Sequence, residues 1–418
     1  MGSGSHNGAP PQGISTPLVA LLSVACGVSA AGLYYAQPLL QTIARAFGTT
    51  AGAAALVVTL SQVGYAVGLA LLVPAGDLLD RRRMAPAVLL VSAAALAASA
   101  VVPGMGALVG AAFVVGLGAV AAQILVPFAA SLATDEARGR VTGTVMSGLL
   151  LGILLARTVS GAVAGAFGWR VVYWAAAVVV TATAAALWRA LPADRHQDSL
   201  PYLGLLRSNA TLWTTEPLLR WRMVLGALCF ACFSVFWTTA AFLLAGPPYH
   251  YGDTVIGLFG LVGAAGALCA TFAGRLADRG HTSVATFAFS GLLVVSFVML
   301  LGGRHRLGLL IAGIVVLDVG VQGLHITNQS LVFRLPAQLR SRVNSNYMVA
   351  YFAGGAVGSA LSGAVYAADG WTAVCALGAA CGLLAVAAWA YGELRRIDLH
   401  PSAGAPRRPS PRQPSPRR

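Results

Sequence analysis

Apolar runs long enough to cross a membrane recur from one end of this chain to the other, and no other feature limits its fold as strongly. Twelve can be read, roughly 16–38, 53–75, 84–104, 107–131, 142–166, 170–190, 223–246, 254–275, 283–303, 307–332, 343–367 and 371–392. A helix of about 20 apolar residues spans the ~30 Å hydrocarbon core of a bilayer. Lipid offers no hydrogen-bond partners, so backbone polar groups must pair within each run, and each run is expected to be a helix. A large soluble core fails for lack of surface. Here 57% of residues are hydrophobic and 10% charged, against about 45–50% and about 25% in soluble domains. The expected fold is an all-α membrane protein of twelve transmembrane helices, embedded in a lipid bilayer.

The formal net charge is +14, and every basic residue behind it is arginine. A basic balance can signal nucleic acid, but these arginines lie in short segments between apolar runs. Membrane topology accounts for them, and no nucleic-acid partner is expected. With the N-terminus in the cytoplasm, that side holds Arg138, Arg140, Arg220, Arg222 and several further arginines, besides the "DRRR" of residues 80–83. The opposite side keeps Arg45, Arg170, Arg304 and Arg306. The positive-inside rule then makes both termini cytoplasmic, in a multi-pass plasma (inner) membrane protein. No charged region precedes the first run, which is therefore expected to be a retained span rather than a cleaved signal. All six cysteines fall inside apolar runs, and "CFAC" at 229–232 has no histidine or acid beside it. Neither a disulfide framework nor a metal site is expected. No "GxxxxGK" phosphate loop occurs, which argues against ATP drive.

The expected organisation is a disordered cytoplasmic N-terminus (1–15), a six-helix bundle (16–191), a cytoplasmic linker (192–222), a second six-helix bundle (223–392) and a disordered Arg/Pro/Ser-rich tail (393–418). In the linker, "SLPYLGLLRS" can start a short surface helix, with Ser199 as N-cap and Pro201 in its first turn. The two bundles echo each other. "RVTGTVMSGLLLGILLARTVSGAVAGAFGWR" (140–170) aligns with "RVNSNYMVAYFAGGAVGSALSGAVYAADGWT" (342–372), with "SGAV" and "GW" in common. Gly76, Asp80 and Arg81 return as Gly274, Asp278 and Arg279. Six-span halves in parallel repeat are the mark of a transporter architecture whose site lies at the midplane between them.

These features resemble the major facilitator superfamily. Its signature after the second span is G, three residues, D, R, one residue, G, R, R. Here Gly76, Asp80 and Arg81 match, Arg83 replaces the second glycine, and Met84 and Ala85 stand where the basic pair would be. The resemblance implies that Gly76, Asp80 and Arg81, with Gly274, Asp278 and Arg279, form a conformational latch. Asp80 can sit at the positive end of the next helix or pair with an arginine of a neighbouring span. Within the family, "YYAQPLL", "GILLARTVSG", "GLFGLVGAAGAL" and "LDVGVQGLHITNQS" resemble the bacterial drug and sugar efflux permeases of the arabinose-efflux-like branch. That implies a monomeric, proton-driven antiporter, with no cofactor beyond the proton gradient. Relatives that export drugs often carry an arginine early in span 4; "AAFVVGLGAV" has none.

Polar groups inside the membrane are costly and mark function. Asp318, Gln322, His325 and Gln329 fall at i, i+4, i+7 and i+11, one stripe of a helix. A carboxylate in a low-dielectric medium can exchange a proton near neutral pH, and histidine does so unaided. Together Asp318 and His325 can carry a proton or bind a cation; the plainer alternative is a hydrogen-bond network between helices. Arg157, read as the single arginine inside a span, has Asp318 as an obvious partner. It can equally bind an anionic substrate group or hold span 5 in place. Gln123 occupies the repeat position of His325. Tyr34, Tyr35 and Gln37 on span 1, Ser234, Trp237 and Thr238 on span 7, and Asn344, Asn346, Tyr347 and Tyr351 on span 11 are further candidates. In the family, spans 1, 4, 7 and 10 line the cavity, where aromatics suit a small organic substrate; ordinary packing explains any one of them as well. An inward-running symporter or uniporter, and a membrane-embedded enzyme or sensor, are the rival functions.

Overall fold

The computed structural model describes residues 14–76, 78–192, 202–263, 281–336 and 339–395, and their regular structure is helical. Gly274, Asp278 and Arg279, the end of the expected eighth span, the Ser199 cap with Pro201, and both chain ends lie outside the described residues. The helices are α1 (Thr16–Ala31), α2 (Leu40–Ala46), α3 (Ala51–Ala75), α4 (Arg81–Val101), α5 (Met105–Ala119), α6 (Ala121–Leu132), α7 (Asp135–Phe167) and α8 (Trp169–Ala190). There follow α9 (Tyr202–Thr215), α10 (Pro217–Ala245), α11 (Asp253–Val262), α12 (Thr282–Gly302), α13 (Leu307–Val332) and α14 (Arg340–Leu394). Nine described stretches are long and apolar enough to cross a bilayer, α5 and α6 together forming one of them. The shorter α1 and α11 are apolar as well.

The repeated "GW" is a repeated bend. Gly168, between α7 and α8, has φ 87°. Gly370, within the 55 residues of α14, has φ 71° and divides it into two helical arms. Positive φ is a region that glycine enters without penalty and other residues do not. The tryptophan after each, Trp169 and Trp371, is buried.

Several expected spans differ from their sequence reading: the fifth begins at Asp135 rather than 142, the fourth is interrupted at Val120, and two further differences reposition polar residues. The first span is not one continuous helix over 16–38. It stops at Ala31, passes Leu33–Leu39 in three-residue turns, and resumes as α2. Irregular backbone at this depth survives because protein surrounds it rather than lipid. The seventh starts at Pro217, not 223, with proline in its first turn where a missing N–H costs nothing. Arg222 is therefore no loop charge. It is 1% exposed, and its Nη1 donates to Thr286 Oγ1 (3.0 Å) and Asn328 Oδ1 (3.1 Å). Arg157 thus has a second buried arginine for company.

Two seams join the chain before residue 192 to the chain after 216. Along one, α3 runs antiparallel to the first arm of α14. Thr59 Oγ1 donates to Ser359 Oγ (3.0 Å), and Ser345 Oγ donates to the Leu69 carbonyl (3.2 Å). Along the other, α7 meets α11, where Thr158 Oγ1 donates to the Gly257 carbonyl (3.1 Å). Helix α9 ties one end of the first seam, beside the Ser345–Leu69 bond. Tyr202 donates to the Leu71 carbonyl (2.9 Å), and Trp213 Nε1 donates to Asn346 Oδ1 (2.9 Å).

Candidate functional site

The site lies between the seams and starts from Arg157. This residue stands 10 positions before the end of α7 (167 − 157), about 15 Å along the helix and hence near the middle of a ~30 Å layer. It is 5% exposed. The broken first span serves it, because the turns at 33–39 bring both Tyr34 and Gln37 to the guanidinium. Arg157 Nε donates to Gln37 Oε1 at 2.6 Å. The guanidinium carbon lies 4.8 Å from the Tyr34 ring centre, 5.3 Å from Phe233 and 4.2 Å from Trp237. Such contacts are worth about 2 kcal/mol or more each when desolvated, which offsets part of the cost of burying the charge.

Asp318, 4% exposed, sits 11 positions into α13 (318 − 307), at a similar depth. Its Oδ1 accepts from Trp237 Nε1 at 3.4 Å. Among the described residues no ion pair joins Arg157 to Asp318 directly. Trp237 stands between the charges, its ring against the guanidinium and its N–H toward the carboxylate. The fit depends on a glycine wall on α11 and the turn after it. A Cβ at Gly257 would come within 2.6 Å of the Arg157 carbonyl oxygen, one at Gly260 within 2.8 Å of the Arg157 Cβ, and one at Gly263 within 2.5 Å of Asp318 Oδ2.

The rest of the α13 stripe faces α14. His325 Nδ1 lies 3.1 Å from Tyr347 Oη, and its ring centre lies 4.6 Å from that of Tyr351. Gln329 Nε2 donates to Asn344 Oδ1 at 3.4 Å, while Gln322, between Asp318 and His325 in the stripe, stays partly exposed. Aromatic rings connect this group to the charged pair. Tyr351 stacks on Phe230 at 4.2 Å, Phe230 on Phe233 at 5.2 Å, and Phe233 touches Arg157. A branch crosses toward the other half. Phe230 meets Phe352 at 4.8 Å, Phe352 meets Tyr65 at 4.3 Å, and Gln123 Nε2 donates to Tyr65 Oη at 3.2 Å.

Ser234 and Thr238 lie in the α3–α14 seam. Ser234 Oγ accepts from Gln62 Nε2 (3.1 Å), and Thr238 Oγ1 donates to Ser359 Oγ (3.1 Å). Trp237, one turn along the same helix from Ser234, reaches Arg157 and Asp318 instead. Tyr35 packs at the edge of the core, and Asn346 binds α9 through Trp213. At the charged loop, Asp80 is the N-cap of α4, with Oδ1 accepting from the Arg82 amide at 3.0 Å. Arg81 Nε donates back to the Gly76 carbonyl at 2.9 Å. Phe230, Phe233, Tyr65 and the three glycines were not singled out from sequence. The glycines did carry a signal, their even spacing of three in "GLFGLVG".

A bundle of apolar helices with opposite charges buried at mid-depth between its two halves is the design of a membrane carrier. The chain belongs to the Major Facilitator Superfamily, whose profile matches residues 22–338 and 265–417. It is 46% identical over 387 residues to the Escherichia coli O157:H7 protein named Uncharacterized transporter YgaY, which covers 93% of this chain and 98% of that one. The Streptomyces coelicolor protein named Probable transporter SCO4007 is 37% identical over 384 residues, covering 90% of this chain and 87% of that one. The crystal structure of the peptide transporter POT shares the fold, with a TM-score of 0.71 at 16% identity over 93% of this chain and 97% of that one. The protein is a multi-pass membrane transporter for small molecules, not an enzyme.

Proposed function

We propose that this transporter couples the movement of a small organic molecule to a proton carried on Asp318, by rocking of its two six-helix halves across the inner membrane with both termini in the cytoplasm. The observation that carries the reading is a buried carboxylate at mid-depth, facing a buried arginine of the other half without pairing to it directly. Neutralising Asp318 changes what Arg157 is balanced by, and so changes which arrangement of the halves is favoured. The resemblance to efflux permeases supports export in exchange for protons: Asp318 takes its proton from outside and releases it inside as the next substrate binds. The Gly76–Asp80–Arg81 loop, with its repeat at 274–279, would latch the cycle. A second reading is uptake together with a proton: the unfilled donors on Arg157 and Gln37 suit an anionic group, and an anion beside Arg157 would compete with an ionised Asp318 and so load with a proton.

The test uses inverted vesicles that are acid inside and loaded with a pH-sensitive dye, to which drugs, sugars and metabolites are added. Dissipation of the gradient by some compound in wild type but not in Asp318→Asn is the expected result. Equilibration of labelled substrate with no proton movement in either would make the protein a uniporter and overturn the proton role.

A further inference from the structure

We infer that Arg157 and Gln37 bind a carboxylate of the transported molecule, and that the rings around them take its apolar body. The inference rests on the second, uptake form of the transport reading and names its substrate class. Arg157 Nη2 and Gln37 Nε2 are both buried with no hydrogen-bond partner. Both line a cavity of about 10 Å³, shared with Trp237, Ala240, Ala241 and Ile256, which is room for about one water-sized atom, so a carboxylate and its substituent enter only as the surrounding helices part.

The polarity of this pair is not adjustable. A guanidinium has donors only, so the Gln37 oxygen must be the atom that meets Arg157 Nε, and its amide nitrogen is left to donate elsewhere. Two buried donors on neighbouring side chains suit a group with two acceptor oxygens and a negative charge, as a carboxylate has. A cation is repelled there. The named cavity wall is otherwise apolar, and Asp318 is turned to Trp237 rather than to Arg157. Tyr34, Phe233 and Trp237 surround the guanidinium, and as the helices part their remaining ring surface suits an apolar or aromatic substituent. A bound carboxylate and an ionised Asp318 are rival counter-ions for one guanidinium. Loading the anion therefore favours a protonated Asp318, so anion and proton ride together, which favours the uptake reading.

The purified full-length protein, titrated with acetate, benzoate, indole-3-acetate, benzamide, benzylamine and chloride, gives the test through tryptophan fluorescence and thermal shift. Saturable binding by an aromatic carboxylate, with benzamide and benzylamine inert, is expected. Arg157→Gln should weaken it about 30-fold or more, Gln37→Leu by less, and Asp318→Asn should leave it equal or tighter. Equal binding of the amide, binding of the amine, response to chloride alone, or no response to any carboxylate overturns the inference. If Arg157→Gln does not fold, the selectivity of the wild type and the behaviour of Gln37→Leu still decide. Proton flux separates the two proposals. Carboxylate binding without proton movement leaves this site standing and removes the coupling role of Asp318. Proton flux driven by an amine does the reverse.

Discussion

Trp237 does two things at once, and they can be separated. Its ring lies against Arg157 and its N–H reaches Asp318. Trp237→Phe keeps the first and removes the second. The expected result is a folded protein whose transport rate in proteoliposomes falls roughly tenfold, the worth of about 1.5 kcal/mol for a hydrogen bond to a charged group. Trp237→Leu should fall further. Arg222 is a buried charge of another kind, held by Thr286 and Asn328 of its own half. Truncation to Leu strands those polar groups, so Arg222→Leu should lower stability by about 2–3 kcal/mol, read as a drop in unfolding temperature in detergent. Sequence placed Arg222 in a loop because a charge at the edge of an apolar run reads as the end of the run. Only the partners from two other helices show that it is inside.

At the scale of elements, the α7–α11 contact works because there is no side chain on Gly257. Gly257→Val would press a Cβ toward the Arg157 carbonyl and drive the helices apart, at a cost of about 1–3 kcal/mol. Its expected signature is faster labelling by a thiol reagent of a cysteine placed at Thr42, beside the Asp253 end of that contact. The loop before α4 poses a different question. Asp80 caps a helix, and asparagine caps about as well. Asp80→Asn therefore tests charge without disturbing the cap. Unfolding temperature should hold while transport falls; unchanged transport would reduce the loop to a topological anchor. The spans and the charged loop were legible from hydropathy and spacing. The break in the first span had one local signal, Pro38, which removes a backbone N–H from the helix ladder; that the turns there bring Gln37 to Arg157 of another helix was not legible.

For the whole molecule, rocking requires that contacts at one end of the halves part. Thr42 Oγ1 donates to Asp253 Oδ1 at 2.7 Å, joining α2 to α11 at the Arg45 end. The double variant Thr42→Cys/Asp253→Cys should crosslink with a short thiol-reactive reagent, lose transport when crosslinked by a reducible one, and recover it on reduction. Full transport by the crosslinked protein would rule out separation at this end.

Length and polarity of the apolar runs, repeated over the chain, were enough to determine a helical membrane protein, and the repeat with its charged loop was enough to suggest the carrier family. These are properties of local segments, since lipid forces each run to satisfy its own backbone. The stripe of Asp318, His325 and Gln329 was likewise visible as a periodicity. Which groups meet was not. Arg157 and Asp318 are 161 residues apart (318 − 157), and their relation through Trp237, with no direct pair, depends on how four helices and one unwound segment pack. The same packing sent Ser234 and Thr238 into a seam and left two donors of Arg157 and Gln37 unfilled. A side chain's neighbours across helices are set by the angle and depth at which those helices cross, and that information belongs to no single segment.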